Sequence, residues 1–150
     1  NVRVRSHEQI TIRITGPSIS SVSASGSGNV TISSPIAAAA LDLSLSGSGN
    51  MALPIVTGTQ LDAKISGSGN IRIAGGAVVT AQYKISGSGG IEAQAVSAKS
   101  ATASTTGSGN IKLYASENLN ATISGSGSIF YSGNPIINTT ISGSGRVIHL

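Results

Sequence analysis

A chain of 150 residues holds one modest core, and 39% of this one is hydrophobic while only 3% is aromatic and 9% charged. The net charge of +4 comes from nine bases and five acids spread thinly, which argues against nucleic acid as a partner: there is no basic stripe and few stacking platforms. With no cysteine, disulfide and thiol chemistry are excluded, and no apolar run reaches the roughly 20 residues of a transmembrane helix.

A typical domain is about a quarter charged, so Ser, Thr, Asn and Gly must cover this surface instead. Residues 1–18 hold Arg3, Arg5, Arg13 and His7 and read as an N-terminal cap or first irregular coil. Residues 19–150 read as repeats, the whole of 1–150 forming a single domain. The chain starts at Asn1 without an initiator Met, as a mature or trimmed product would.

The phrase Gly-Ser-Gly begins at Gly26, Gly47, Gly67, Gly87, Gly107, Gly125 and Gly143, at intervals of 21, 20, 20, 20, 18 and 18 residues. Its second glycines are Gly28, Gly49, Gly69, Gly89, Gly109, Gly127 and Gly145. Apolar residues alternate around each copy. The third copy has Leu61, Ala63 and Ile65 before it and Ile71 and Ile73 after it. The fourth has Ala81, Tyr83 and Ile85, then Ile91 and Ala93; the sixth has Leu119, Ala121 and Ile123, then Ile129 and Tyr131. Period two marks half-buried strands, and no window sustains a helical period. Turns are expected at Ser33-Ser34-Pro35, Gly75-Gly76, Ser116-Glu117-Asn118 and Ser132-Gly133-Asn134-Pro135.

A period near 20 without a Leu/Asn framework excludes leucine-rich repeats, and a propeller blade needs about twice this length. What remains is an all-β protein, a parallel β-solenoid of about seven coils of 18–21 residues. At about 4.8 Å per coil the rod would be roughly 30 Å long. The motif glycines then have two geometric readings. Within a running strand both point inward and allow close approach; at a sharp corner they supply backbone angles that other residues avoid.

Equivalent polar positions stack as columns. One is Ser48, Ser68, Ser88, Ser108, Ser126 and Ser144. The next runs Asn29, Asn50, Asn70, Gly90, Asn110, Ser128 and Arg146. Stacked Asn amides hydrogen-bond along parallel strands. Their first expected role is register and solubility; the functional alternative is a flat hydroxyl-and-amide face that meets a surface, a glycan or ice. Two residues beyond the Asn column come Arg72, Glu92 and Lys112, whose alternating signs fit a charge ladder.

Chemistry is harder to find. Asp42 and Asp62 occupy equivalent positions and would lie about 5 Å apart, a spacing used by retaining glycosidases, but Lys64 shares their face. His7 and His149 fall at opposite ends of the rod, which leaves the serines without a triad. Gly-Ser-Gly-Asn lacks a third glycine and a helix, and no acid recurs in the motif for calcium. Asn29-Val30-Thr31, Asn120-Ala121-Thr122 and Asn138-Thr139-Thr140 match the glycosylation sequon by chance composition. The expectation is no catalytic residue, no metal and no cofactor.

The repeated ISGSGNI phrase resembles the bacterial auto-transporter adhesin "head GIN" domain family. So do the opening TIRITGPSISSVSASGSGNV and the closing IFYSGNPIINTTISGSGRVIHL, and the likeness runs from Gln9 to Leu150. Departures are Thr106 for Ser, Gly90 and Ser128 for Asn, and Arg146 for Asn in the last copy. The resemblance implies a right-handed β-solenoid from an exported or envelope-anchored bacterial protein, extracellular, periplasmic or bound to the outer membrane. It carries no catalytic residues with it. Relatives usually have further chain ahead of this point, often a signal or lipoprotein anchor, which implies that Asn1 is a cut edge.

Three functions compete: a cell-surface module for adhesion or display with a surface or glycan ligand, a solenoid that polymerises through its ends, and a polysaccharide-active enzyme resting on Asp42 and Asp62. The arginines of residues 1–18 protect one end in part, whereas Arg146-Val147-Ile148-His149-Leu150 leaves the other less protected and end-to-end association open.

Overall fold

Alternating apolar residues cannot be buried by one short strand alone, so successive coils stack and share a core. The computed structural model describes residues 19–150. The expected cap over residues 1–18, with Arg3, Arg5, Arg13 and His7, lies outside the described residues.

The early strands are β1 (Ser21–Gly26), β2 (Val30–Thr31), β3 (Ile36–Gly47), β4 (Asn50–Gly67) and β5 (Asn70–Gly87). They are followed by β6 (Gly90–Ala93), β7 (Val96–Gly107), β8 (Asn110–Tyr114) and β9 (Asn118–Gly125). The last are β10 (Ser128–Ser132), β11 (Ile136–Gly143) and β12 (Arg146–His149). Every recorded pairing is parallel, each residue opposite its equivalent one coil on, as in Leu41↔Leu61, Ile65↔Ile85 and Gly87↔Gly107. The expected all-β solenoid is therefore the fold, with about six turns between the seven motifs.

Each 20-residue coil has three sides. Inward residues alternate as Ile71 and Ile73, then Gly76 and Val78, then Ala81, Tyr83 and Ile85. Consecutive outward or half-buried residues interrupt the alternation at residues 74–75 and 79–80 and bend the chain there. Gly75 and Gly76, expected as a turn between strands, lie inside β5, paired with Ile55 and Val56. The bend is made without breaking the ladder: Gly76 adopts φ of +139°, a left-handed angle that other residues avoid. The other three expected turns hold, in whole or in part, as connections between strands.

The 18-residue coils shrink the middle side. Ala115 turns inward, and the Ser116 and Glu117 N–H groups donate to Ala98 O and Lys99 O at 3.0 and 2.8 Å. Residues 116–117 thus follow Ala98 and Lys99 of the coil before, and the sides holding the motif stay in register.

The interior is a set of side-chain columns. Leu45, Ile65, Ile85, Thr105 and Ile123 form one, with the buried Thr105 hydroxyl donating to Gly109 O at 3.1 Å. In the neighbouring column Tyr83, fully buried, lies between Ala63 and Ala103, which leave room for its ring. Burial pushes the Tyr83 phenol well above its usual range, and its hydroxyl has no protein partner among the described residues.

The motif is a corner, and its two glycines do different jobs. The first is left-handed in every copy, with φ from +94° at Gly26 to +128° at Gly87 and Gly125. The second faces inward, buried at Gly69, Gly89 and Gly109. A Cβ on Gly69 would meet Gly49 O and the Leu45 side chain. The corner reading holds and the running-strand reading does not, since the strand stops at the first glycine and the second lies outside it; what survives of the latter is the close approach that both glycines allow.

Candidate functional site

The corner fixes where the polar side chains go. The backbone N–H groups of Ser68 and Gly69 both donate to Gly47 O, at 2.9 and 3.0 Å, and the same fork recurs at the later corners. Ser66, Ser68 and Asn70 consequently face solvent. Ser48, Ser88, Ser108, Ser126 and Ser144 do likewise. Among the described residues none of these six second-position serines donates a side-chain hydrogen bond to the protein, so the serine column is a row of free hydroxyls on a backbone-bonded corner.

The amide column is bonded. Asn50 Nδ2 donates to Asn29 Oδ1 at 3.0 Å, and Asn70 Nδ2 donates to Asn50 Oδ1 at 3.1 Å. The next residue in register is Gly90, then Asn110, Ser128 and Arg146. The ladder stops at Asn70 and resumes at Asn110, whose Oδ1 accepts the Ser128 N–H at 3.0 Å. Two positions along, Glu92 receives Arg72 on one side and Lys112 on the other, each at 3.4 Å. Between the two columns runs an open groove of about 470 Å³, bounded by Asn50, Asn70 and Asn110 along one wall and Arg72, Glu92 and Lys112 along the other. In the sequence Gly90 is one of the departures from the repeat. The side chain missing from the amide column was the available signal for this gap.

Asp42 and Asp62 are register partners, as expected. Lys64 lies 3.6 Å from Asp42 and 3.4 Å from Asp62, so one ammonium bridges both carboxylates. The Asp62 charge, then its hydrogen bond, then the Asp42 charge raise the Lys64 pKa above its ordinary value. The arrangement is a carboxylate clamp on a cation, whereas glycoside hydrolysis needs one carboxyl kept as an acid beside the scissile bond. His149 is exposed on the last coil, with Nε2 3.0 Å from Gly133 O and its ring tilted against Tyr131. No cluster of three metal-ligating side chains occurs among the described residues.

A family profile described as "Putative auto-transporter adhesin, head GIN domain" matches residues 1–135. The chain belongs to the head GIN domain family. The match starts ahead of Gln9, where the resemblance read from the motifs begins, and stops at Pro135, before the last motif. No curated protein matches the chain.

Crystal structures of similar proteins share the solenoid fold, among them these three. One is described as a "putative adhesin" from Bacteroides fragilis NCTC 9343, with 31% identity and a TM-score of 0.92, over 99% of this chain and 68% of that one. Another is a "putative adhesin" from Parabacteroides merdae ATCC 43184, with 31% identity and a TM-score of 0.84, over 85% and 53%. The third is a "putative lipid binding protein" from Parabacteroides distasonis ATCC 8503, with 34% identity and a TM-score of 0.81, over 87% and 52%. The chain spans about half the length of the two Parabacteroides proteins.

Proposed function

We propose that this head GIN domain is a non-enzymatic module of the bacterial cell surface, exported and used for adhesion or display. The observation that carries the reading is the outer wall at the corners, where exposed serine hydroxyls repeat in register beside a column that holds Asn on four of the coils. Such a wall offers many weak contacts in a fixed array, which suits multivalent attachment to a polar surface. The names of the family and of the adhesin neighbours support the same class. The clamp on Lys64 weighs against the polysaccharide-active alternative.

A glycan array probed with multimerised protein tests this. The expected result is retention on some glycans, unchanged in an Asp42→Asn, Asp62→Asn double variant, with no cleavage by either. Cleavage by the native protein that the double variant abolishes would replace the adhesin reading with the enzyme.

A second reading rests on the final coil. Ile137 and Ile141 stand in the inward columns below Leu119 and Ile123, yet they are 38% and 45% exposed. A second copy stacked there would cover them and pair the free edges of β11 and β12. Sedimentation over a range of concentrations would show polymers growing with concentration, and a monomer at the highest concentration would end this reading.

A further inference from the structure

The amide column of the outer wall is interrupted at Gly90, between the bonded amides of Asn29, Asn50 and Asn70 and the amide of Asn110. Parallel strands set a repeat of about 4.8 Å, and each amide in such a ladder donates to one neighbour and accepts from the other. Here Asn70 donates upward to Asn50 Oδ1, while its own Oδ1 has no donor among the described residues. On the far side Asn110 uses its Oδ1 for the Ser128 N–H, while its Nδ2 has no acceptor among them. Gly90 between them supplies no side chain, and its N–H is spent on Gly69 O at 3.2 Å. The strands of Asn70 and Asn110 are two strand spacings apart, roughly 9–10 Å, with Gly90 between them, and Asn70 Oδ1, which would lie 2.9 Å from a Cβ on Gly90, borders the gap. That is the space of one amide rung.

We infer that the Gly90 gap between Asn70 and Asn110 is a binding site for the acetamido group of an N-acetylated sugar. A trans secondary amide points its N–H and C=O in opposite directions. Placed in the gap, its N–H donates to Asn70 Oδ1, its C=O accepts from Asn110 Nδ2, and the column is completed. The walls favour a sugar over a peptide as the carrier. The free hydroxyls of Ser68, Ser88 and Ser108 lie beside the column and suit ring hydroxyls. On the other flank the Glu92 carboxylate and the Arg72 and Lys112 cations offer acceptors and donors. A peptide strand carries an amide every 3.3–3.4 Å or so and finds partners at a sheet edge, whereas this wall presents a single vacant rung. The proposal rests on the outer wall being a binding surface, and it narrows the ligand class to N-acetylated glycans.

The test uses ¹⁵N-labelled protein and follows the side-chain amide signals of Asn70 and Asn110. The probes are chitotetraose, the unacetylated cellotetraose and an N-acetyl amino-acid amide. Chitotetraose should shift both signals, while cellotetraose should bind at least tenfold more weakly. Gly90→Asn should remove the response by filling the rung. A Cβ there comes within 2.9 Å of Asn70 Oδ1, the movable end of a side chain, so the variant can fold as the Asn-bearing coils do. Asn110→Ala leaves the gap open but removes the donor, and should weaken binding severalfold. Equal shifts from the two tetrasaccharides, a response that survives Gly90→Asn, or equal binding of the amino-acid amide would each overturn the inference. Array retention without these shifts would sink the acetamido site alone and leave the adhesin reading standing.

Discussion

The corners and the outer ladders repeat with one period, yet they tolerate change very differently. At every corner between described coils, two N–H groups fork onto the carbonyl of the previous first glycine, at 2.9–3.2 Å. Along the amide column the residue drifts from Asn to Gly90, Ser128 and Arg146. A Cβ at a corner meets the backbone of the neighbouring coil, which cannot move aside without breaking its own pairing. A side chain on the outer wall meets solvent or another mobile side chain. Backbone contact keeps the glycines fixed, and hydration lets the ladder vary.

Substitutions at a single corner test this most directly. Gly87→Ala combines a left-handed φ of +128° with a Cβ aimed at the Gly67 carbonyl. Strain and overpacking together should cost about 3–5 kcal/mol, read as a drop in the denaturant midpoint. Gly89→Ala has no such φ but meets Gly69 O and the Ile65 side chain. Overpacking alone should cost about 1–3 kcal/mol. Equal losses at the two sites would show that close approach, rather than the backbone angle, governs the corner.

The interior lies between these extremes because its columns exchange volume between coils. Tyr83 fills space left by Ala63 and Ala103 but buries an unbonded hydroxyl. Tyr83→Phe should therefore hold stability level or raise it by up to about 1 kcal/mol in chemical denaturation. The pH dependence has a definite sign. The folded phenol is shifted upward from 10.0, so the folded state keeps its proton where the unfolded state loses it. Tyr83 adds no pH dependence below about pH 10, and above it lowers stability as pH rises, a slope that Tyr83→Phe should reduce.

Much of this was legible in the sequence because period-two patterning and a constant repeat leave few architectures. Leu61, Ala63, Ile65, Ile71 and Ile73 are all buried, as their alternation predicts. The corner could not be settled the same way. Gly67 and Gly69 share parity, and parity does not reveal backbone angle. Gly75-Gly76 misled for a related reason: a solenoid can bend inside a paired strand, so a turn-like dipeptide need not end one. The Arg72–Glu92–Lys112 ladder was legible from register alone, whereas the vacancy at Gly90 is recognisable only beside the hydrogen bonds that stop there.

That ladder gives the next smaller effect. Glu92→Gln removes both ion pairs and leaves Arg72 and Lys112 flanking a neutral side chain. All three side chains are substantially exposed, so the loss should be only about 0.5–1 kcal/mol and should fade in high salt. A thermal midpoint lowered equally at low and high salt would mean that the column packs rather than pairs.

The smallest effect separates motif glycines from glycine in general. Gly75 has no left-handed φ, and a Cβ there would have only Ala95 O within 4 Å, at 3.8 Å, an ordinary contact. Gly75→Ala reduces the freedom of the unfolded chain without obstructing the folded one. It should stabilise the protein by roughly 0.5 kcal/mol, opposite in sign to the corner variants. Denaturant midpoints of Gly75→Ala and Gly87→Ala measured together make the comparison strict. If both fall, glycine is needed for the flexibility of the whole coil. If they part in opposite directions, what excludes a side chain is the carbonyl of the coil beneath and the angle taken to pass it.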